Sequence, residues 1–289
     1  MEKYKFDWKW YLNYYPDLKT AGINNEEKAW NHWKCFGKNE RRARNENELK
    51  DIVFGFFDKI KKIENEELGW SDRWQNKKRK DWGLINILTR TSARPNFFRE
   101  CRESVKEQTY LNFRQIVGYD DFECELYLNQ IENKNKIYYK KLNQTDKLSF
   151  PYNLYFNQMV KKVNEGWIMY LDDDDKFVNK YALEKIMNRV RSDDDLLVWK
   201  VWFPSKIVPG LSFKKNIVRG DISGCGFMYH SKHKNKVLWK GVKMGDYEFI
   251  NELSKYLKIR WISVIATRVN YKDDFFSNGN RNDKLLRGV

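Results

Sequence analysis

Four consecutive aspartates, Asp172 to Asp175, follow directly on the apolar run GWIMYL at 166–171. A short apolar run of this kind reads as a buried strand. The carboxylates then project from its carboxyl end, where they repel one another unless a cation neutralises them. Mg²⁺ or Mn²⁺, which prefer oxygen ligands, would do so, and such an ion can bridge to a diphosphate. The alternative is a solvated acidic turn. A second informative stretch is GDISGCGFMYH at 220–230, where Gly220, Gly224 and Gly226 permit close backbone approach before a short apolar strand. It reads equally as a glycine-rich hairpin with no ligand. His230 and His233 have a metal-compatible spacing, but no cysteine or third histidine accompanies them, so they read as surface histidines. Asp246 follows Gly245 at the start of a helical pattern carrying Phe249, Ile250 and Leu253, where an aspartate is good capping chemistry.

The elements that must position these residues follow a strand–helix rhythm from residue 84. Strands are expected at 84–89, 113–118, 136–140, 166–171, 196–202 and 261–266. Pro95 can open a helix with Phe97, Cys101 and Val105 on one face, and 153–164 is helical with Phe156, Met159, Val160 and Val163 on one side. Such alternation implies a mainly parallel sheet flanked by helices, which binds ligands at the carboxyl ends of its strands. Residues 1–45 form an aromatic-rich helical hairpin, with Trp8, Tyr11 and Leu12 on one helix, Gly22 in the turn, Ala29, Trp30 and Trp33 on the other, and Gly37 as its cap. His32, with no second ligand nearby, reads as a packing or hydrogen-bonding residue. Residues 46–82 read as a connecting helix (Ile52, Val53, Phe56, Phe57, Ile60) and a basic linker, SDRWQNKKRKDW.

The chain has 289 residues, enough for one large and one small domain, and its 16% aromatic content excludes a disordered chain. The net charge of +15 would suit nucleic acid, an anionic membrane surface or a small anionic substrate. The charge is spread along a Lys- and Asn-rich chain, so no specific nucleic-acid partner is expected, while peripheral membrane contact stays open. Four cysteines without a C-x-x-C pair suit a reducing compartment and argue against a zinc knuckle. With no apolar signal region or membrane-length run, the expectation is a soluble, cytoplasmic protein, in the host cytoplasm if the chain is viral.

The segment YLDDDDKF (170–177) resembles the DxD region of family 2 glycosyltransferases of the GT-A fold. ILTRTSARPNFFRECRESVKEQTY (87–110) is similar to that family's first strand, nucleotide-facing loop and first helix, and IVGYDD (116–121) follows in the family's order. The resemblance covers about residues 84–270 and implies a Rossmann-like GT-A domain at 83–289. It implies that Thr89, Arg90 and Arg94 approach the nucleotide and its diphosphate. Asp120, with Asp121 as rival because YDDF departs from the usual DDGS, would contact the base or ribose. Asp172 and Asp173 would lie near the ribose or metal, Asp174 with help from Asp172 would hold Mn²⁺ or Mg²⁺, and Asp175 would hold the loop. Asn157 would tie its helix to the nucleotide loop. Ser223 and Gly224 would line the acceptor side, and Asp246 would be the general base, with Glu248 a lesser candidate because Gly-Asp replaces Glu-Asp. The tail, 270–284, resembles a segment that folds over the donor but has no histidine to offer a metal. YPDL…G…A…HW…G…ER, here Tyr15 to Leu18, Gly22, Ala29, His32, Trp33, Gly37, Glu40 and Arg41, resembles a small module beside glycosyltransferases of some bacteria and giant viruses.

The activity this implies is inverting transfer from a nucleotide sugar, a UDP-sugar first, to a glycan, protein or lipid-linked acceptor. The rivals are a nucleotidyltransferase, which would want a Gly-rich loop with Lys where TRTSARP stands, and a non-catalytic carbohydrate- or polyanion-binding protein.

Overall fold

The computed structural model describes residues 5–15, 18–19, 21–38, 42–48, 83–143, 145, 147–203, 206–210 and 216–269. The basic linker, all but the first residues of the connecting helix, the tail at 270–284, and Pro16, Asp17, Glu40 and Arg41 of the small-module pattern lie outside them. The chain divides into two compact units, Met1–Arg79 and Lys80–Val289.

In the first unit, helix α1 (Trp8–Tyr14) is capped by Asp7, which accepts the Trp10 N–H, and α2 (Glu26–His32) by Asn25, which accepts the Lys28 N–H. Phe6, Tyr11, Leu12, Leu18, Ala29 and Trp33 form its core. The Tyr11 hydroxyl lies 3.0 Å from His32 Nδ1, within hydrogen-bonding distance. Gly22 makes its turn at φ +77. Gly37 is no left-handed cap. It ends a wide turn, Trp33–Gly37, and a Cβ there would stand 2.5 Å from the Tyr11 hydroxyl, so close packing requires the glycine.

The second unit is built on a mixed sheet. Its strands are β1 (Ile85–Thr91), β2 (Phe113–Tyr119), β3 (Lys136–Tyr138), β4 (Trp167–Tyr170), β5 (Asp175–Phe177), β6 (Asp195–Phe203), β7 (Lys206–Val208), β8 (Phe227–His230) and β9 (Lys258–Val269). The order is β3-β2-β1-β4-β8-β6-β9-β5, with β7 paired to β6. The β3-β2-β1-β4 block is parallel, as is β6 with β9, whereas β8, β5 and β7 join antiparallel. Helices α3 (Pro95–Lys106) and α5 (Ala182–Met187) pack on one face, against Ile85, Ile87, Trp167 and Met169. Helices α4 (Tyr155–Lys161) and α6 (Gly245–Leu253) pack on the other, against Leu88, Ile168 and Tyr170. The expected strands are all present. β5, β7 and α5 are further elements beyond those expected.

The strand alternation continues beyond β4. Leu171 N–H donates to Leu88 O (3.0 Å) and Asp173 N–H to Arg90 O (3.2 Å), so the parallel ladder carries the chain into the aspartates. Side chains therefore alternate between faces through 172 and 173 as they do through 167–171.

Gly166 opens β4 at φ +77, and a Cβ there would stand 2.1 Å from Leu84 O, which accepts the Trp167 N–H. Gly166→Ala is expected to cost about 3 kcal/mol, from left-handed backbone and the displaced β1 contact together, read as a lower urea midpoint at unchanged slope. Among the described residues no helix is long and apolar enough to cross a membrane.

Candidate active site

The aspartates divide between the two sides of the sheet. Asp172 turns to the α4 side and takes Arg90 in a two-point pair, Nε to Oδ1 at 2.8 Å and Nη2 to Oδ2 at 2.5 Å. Arg90 also lies 3.9 Å from the Phe156 ring centroid and gives Nη1–H to Asn153 Oδ1 at 3.0 Å. Burial pushes the Arg90 guanidinium down, but the pair with Asp172 outweighs it and the group sits above its ordinary value. Asp173 turns to the α3 side, fully buried, and pairs with Arg94 through both oxygens. Burial raises its pKa to about 7, against the opposing pull of Arg94 and with the repulsion of Asp174. Arg94 reaches Asp174 as well, at 3.3 Å.

Asp172, Asp174 and Asp175 each direct a carboxylate oxygen to within 4.8 Å of one another. Among the described residues this is the cluster with metal-ligating geometry, and His230 and His233 stand apart from it. His233 Nε2 faces Asp194 Oδ1 at 3.0 Å, and His230 packs edge-on to Trp167. Asp175, expected only to hold the loop, is both part of the cluster and the first residue of β5. Burial, then Asp174 and Asp172, raise its pKa, and it contacts the buried Cys225 thiol. Four carboxylates against two guanidiniums leave an excess of two negative charges when all are ionised. Burial first, and then the neighbouring carboxylates, raise Asp173 and Asp175, and a bound cation would oppose both effects. All-oxygen donors of this number and charge fit Mg²⁺ or Mn²⁺.

Thr89 does not face this site. It alternates away from Arg90 and is fully buried, its Oγ1 accepting from Gln115 Nε2 at 2.8 Å, so its side chain is not available to a nucleotide. Thr91, not singled out from sequence, touches Tyr127 (2.8 Å) and Asp173. Beyond β2 the two aspartates separate. Asp121 caps a short turn, accepting the Glu123 N–H at 3.0 Å. Asp120 accepts the Tyr155 hydroxyl at 3.0 Å through Oδ2, while its Oδ1 is buried with no hydrogen-bond partner among the described residues.

Of the two acceptor-side candidates, Gly224 meets Asp246. Gly224 N–H donates to the Asp246 carboxylate, as does the Tyr247 N–H at 2.8 Å, and a Cβ on Gly224 would stand 3.9 Å from the Asp246 Cβ. Ser223 is mostly buried, its Oγ 3.4 Å from Cys225 Sγ. Burial raises the Asp246 pKa against these N–H donors and the field of Arg90. Glu248 is half-exposed and pairs with Lys240 at 3.7 Å. Asn157 does not tie its helix to the nucleotide loop. It clamps the backbone of Trp239, giving Nδ2–H to the carbonyl (2.9 Å) and accepting the N–H (2.8 Å). The residue that reaches Arg90 is Asn153, one helical turn earlier. Its polar side chain opening an apolar helix was the available signal.

No protein-family model matches the chain, and no curated protein matches it. Among solved structures it is similar to TarS of S. aureus, with a TM-score of 0.50 at 14% identity over 65% of this chain and 37% of that one. A TarS structure of residues 1–349 gives 0.49 at 16% identity, over 65% and 60% of the two chains. The same TarS fragment in complex with UDP-GlcNAc gives 0.46 at 14%, over 66% and 59%. The chain thus spans less than two thirds of the length of these neighbours. Likeness at this identity speaks to the fold, and the fold is an α/β sheet flanked by helices of the GT-A type.

Proposed function

We propose that the chain transfers a sugar from a nucleotide-activated donor to a hydroxyl acceptor, by single displacement with inversion. The observation that carries this reading is the meeting, at the carboxyl ends of parallel strands, of a three-carboxylate cluster, two arginines and a half-buried aspartate within the field of Arg90. Asp172, Asp174 and Asp175 would hold Mn²⁺ or Mg²⁺, which when bound supplies positive charge against the donor diphosphate and the leaving nucleotide. Arg90 and Arg94 hold the aspartates in place and offer guanidinium N–H groups to phosphate oxygens. Asp246, with its pKa raised by burial, takes the proton from the acceptor hydroxyl as it attacks the anomeric carbon. The Gly224 N–H keeps that carboxylate oriented.

Asp120 Oδ1 is an acceptor waiting for a donor, and a nucleotide base N–H or a ribose hydroxyl would satisfy it. UDP-sugars are the first donors to test. Asp120→Ala is expected to weaken nucleoside diphosphate binding by about 10- to 100-fold, matching the roughly 1.5–3 kcal/mol of a hydrogen bond to a charged group, as measured by calorimetric titration.

A panel of nucleotide sugars, with Mn²⁺ or Mg²⁺ and with EDTA, tests the reading through thermal stabilisation and product analysis. Metal-dependent stabilisation and release of nucleoside diphosphate are expected. Release of pyrophosphate would identify a nucleotidyltransferase instead, and stabilisation by sugar or polyanion without nucleotide or metal would identify a binding protein.

A further inference from the structure

One amide side chain joins the two halves of the site. Asn153 is 8% exposed and accepts the Arg90 Nη1–H at 3.0 Å. Its Nδ2 donates to the carbonyls of Val242 at 3.2 Å and Lys240 at 3.5 Å, in the turn that leads into α6. The segment around it fastens the same turn, through Phe150 N–H to Gly241 O at 3.0 Å and Lys243 N–H to Ser149 Oγ at 3.2 Å. The turn is shaped around the amide. Met244 takes a left-handed φ of 62, and a Cβ on Gly245 would stand 2.6 Å from Asn153 Nδ2. The next residue is Asp246.

The geometry points to Asn153 as a positioning residue for transfer, whose amide sets the spacing between the Arg90–Asp172 pair and the turn that presents Asp246. This rests on the reading of Asp246 as the base. Arg90 requires an acceptor and the two carbonyls require a donor. A planar amide supplies both from one side chain. Aspartate at 153 keeps the acceptor but sets a second oxygen against two carbonyls. Alanine removes both links, while Arg90 keeps Asp172 and the Phe156 ring. Both variants should therefore fold, with the loss confined to the turn.

Hydrogen exchange on the full chain, wild type against Asn153→Asp and Asn153→Ala, tests the link without relying on activity. Amides of 242–248 are expected to exchange at least about tenfold faster in both variants, with Pro95–Lys106 unchanged. In steady-state transfer assays the donor KM is expected to stay within about threefold while kcat falls about 10- to 100-fold. Unchanged exchange at 242–248 overturns the coupling whatever the activity. Exchange that rises equally in Pro95–Lys106 marks a general folding role and also overturns it. Faster local exchange with wild-type kcat overturns the positioning role. Faster local exchange in a protein whose wild type neither binds nor transfers a nucleotide sugar upholds the mechanical link and removes the functional reading instead.

Discussion

Asp246→Asn is expected to lower kcat for sugar transfer by roughly 10²–10⁴-fold, the usual contribution of a general base, while the donor Kd stays within about threefold. The substitution keeps shape and removes the proton acceptor. Asp246 faces Gly224 and lies within the field of Arg90, so the donor diphosphate keeps its own contacts when the carboxylate is lost. The pH dependence provides a second check. Burial, the largest influence, raises the Asp246 pKa above the ordinary value of 3.8, so wild-type kcat should fall as pH drops through that raised value. The stability effect has the opposite sign. Between 3.8 and the raised value the folded state binds more protons than the unfolded state. The contribution of Asp246 to stability is thus fully present below 3.8 and lost as pH rises through the raised value. Asp246→Asn should flatten that part of the stability profile, as urea midpoints across pH will show. Transfer at normal rate by the variant would exclude Asp246 as the base.

Asp174→Asn is expected to abolish thermal stabilisation by Mn²⁺ or Mg²⁺ with nucleotide and to reduce transfer by roughly 10³-fold, equivalent to about 4 kcal/mol of transition-state charge stabilisation. The ligand-free protein should respond otherwise. Asp174 repels Asp173 and Asp175 and reaches Arg94 only at 3.3 Å, whereas Asp173 keeps that arginine through both oxygens. Removing its charge relieves like-charge repulsion at the cost of one weak contact, so the ligand-free melting temperature should not fall. Differential scanning calorimetry with and without metal and nucleotide separates the two effects. A variant that loses stability without metal but keeps the metal-dependent shift would place the ion elsewhere.

Much of this site was legible in the chain, and what was missed has definite causes. The apolar run before Asp172 identified the strand through its length and apolar character, and the resemblance of 87–110, 116–121 and 170–177, in that order, to a known family implied the fold. Which face each side chain takes was less secure. Alternation along β1 sends Arg90 to one side and Thr89 to the other, where Gln115 holds it, yet both had been assigned to the nucleotide. Asp120 is the first candidate in the sequence, with Asp121 its rival. They separate only because Tyr155, from α4, comes within 3.0 Å of the first while the second closes a local turn. Asn157 and Asn153 share a helical face, and packing assigns one to the Trp239 backbone and the other to Arg90.

Local pattern fixes the elements and the inventory, namely the strand that delivers four carboxylates, one arginine at the end of β1 and another just beyond it, and the aspartate after Gly245. These depend on hydrophobic period and local backbone preference, which act over a few residues. Only the tertiary structure decided the partners. Arg90 meets Asp172 across 82 positions and Asn153 meets Val242 across 89. Contacts that long in sequence leave no local pattern, because they are fixed by how the sheet orders its strands and by how the two helical layers close over it.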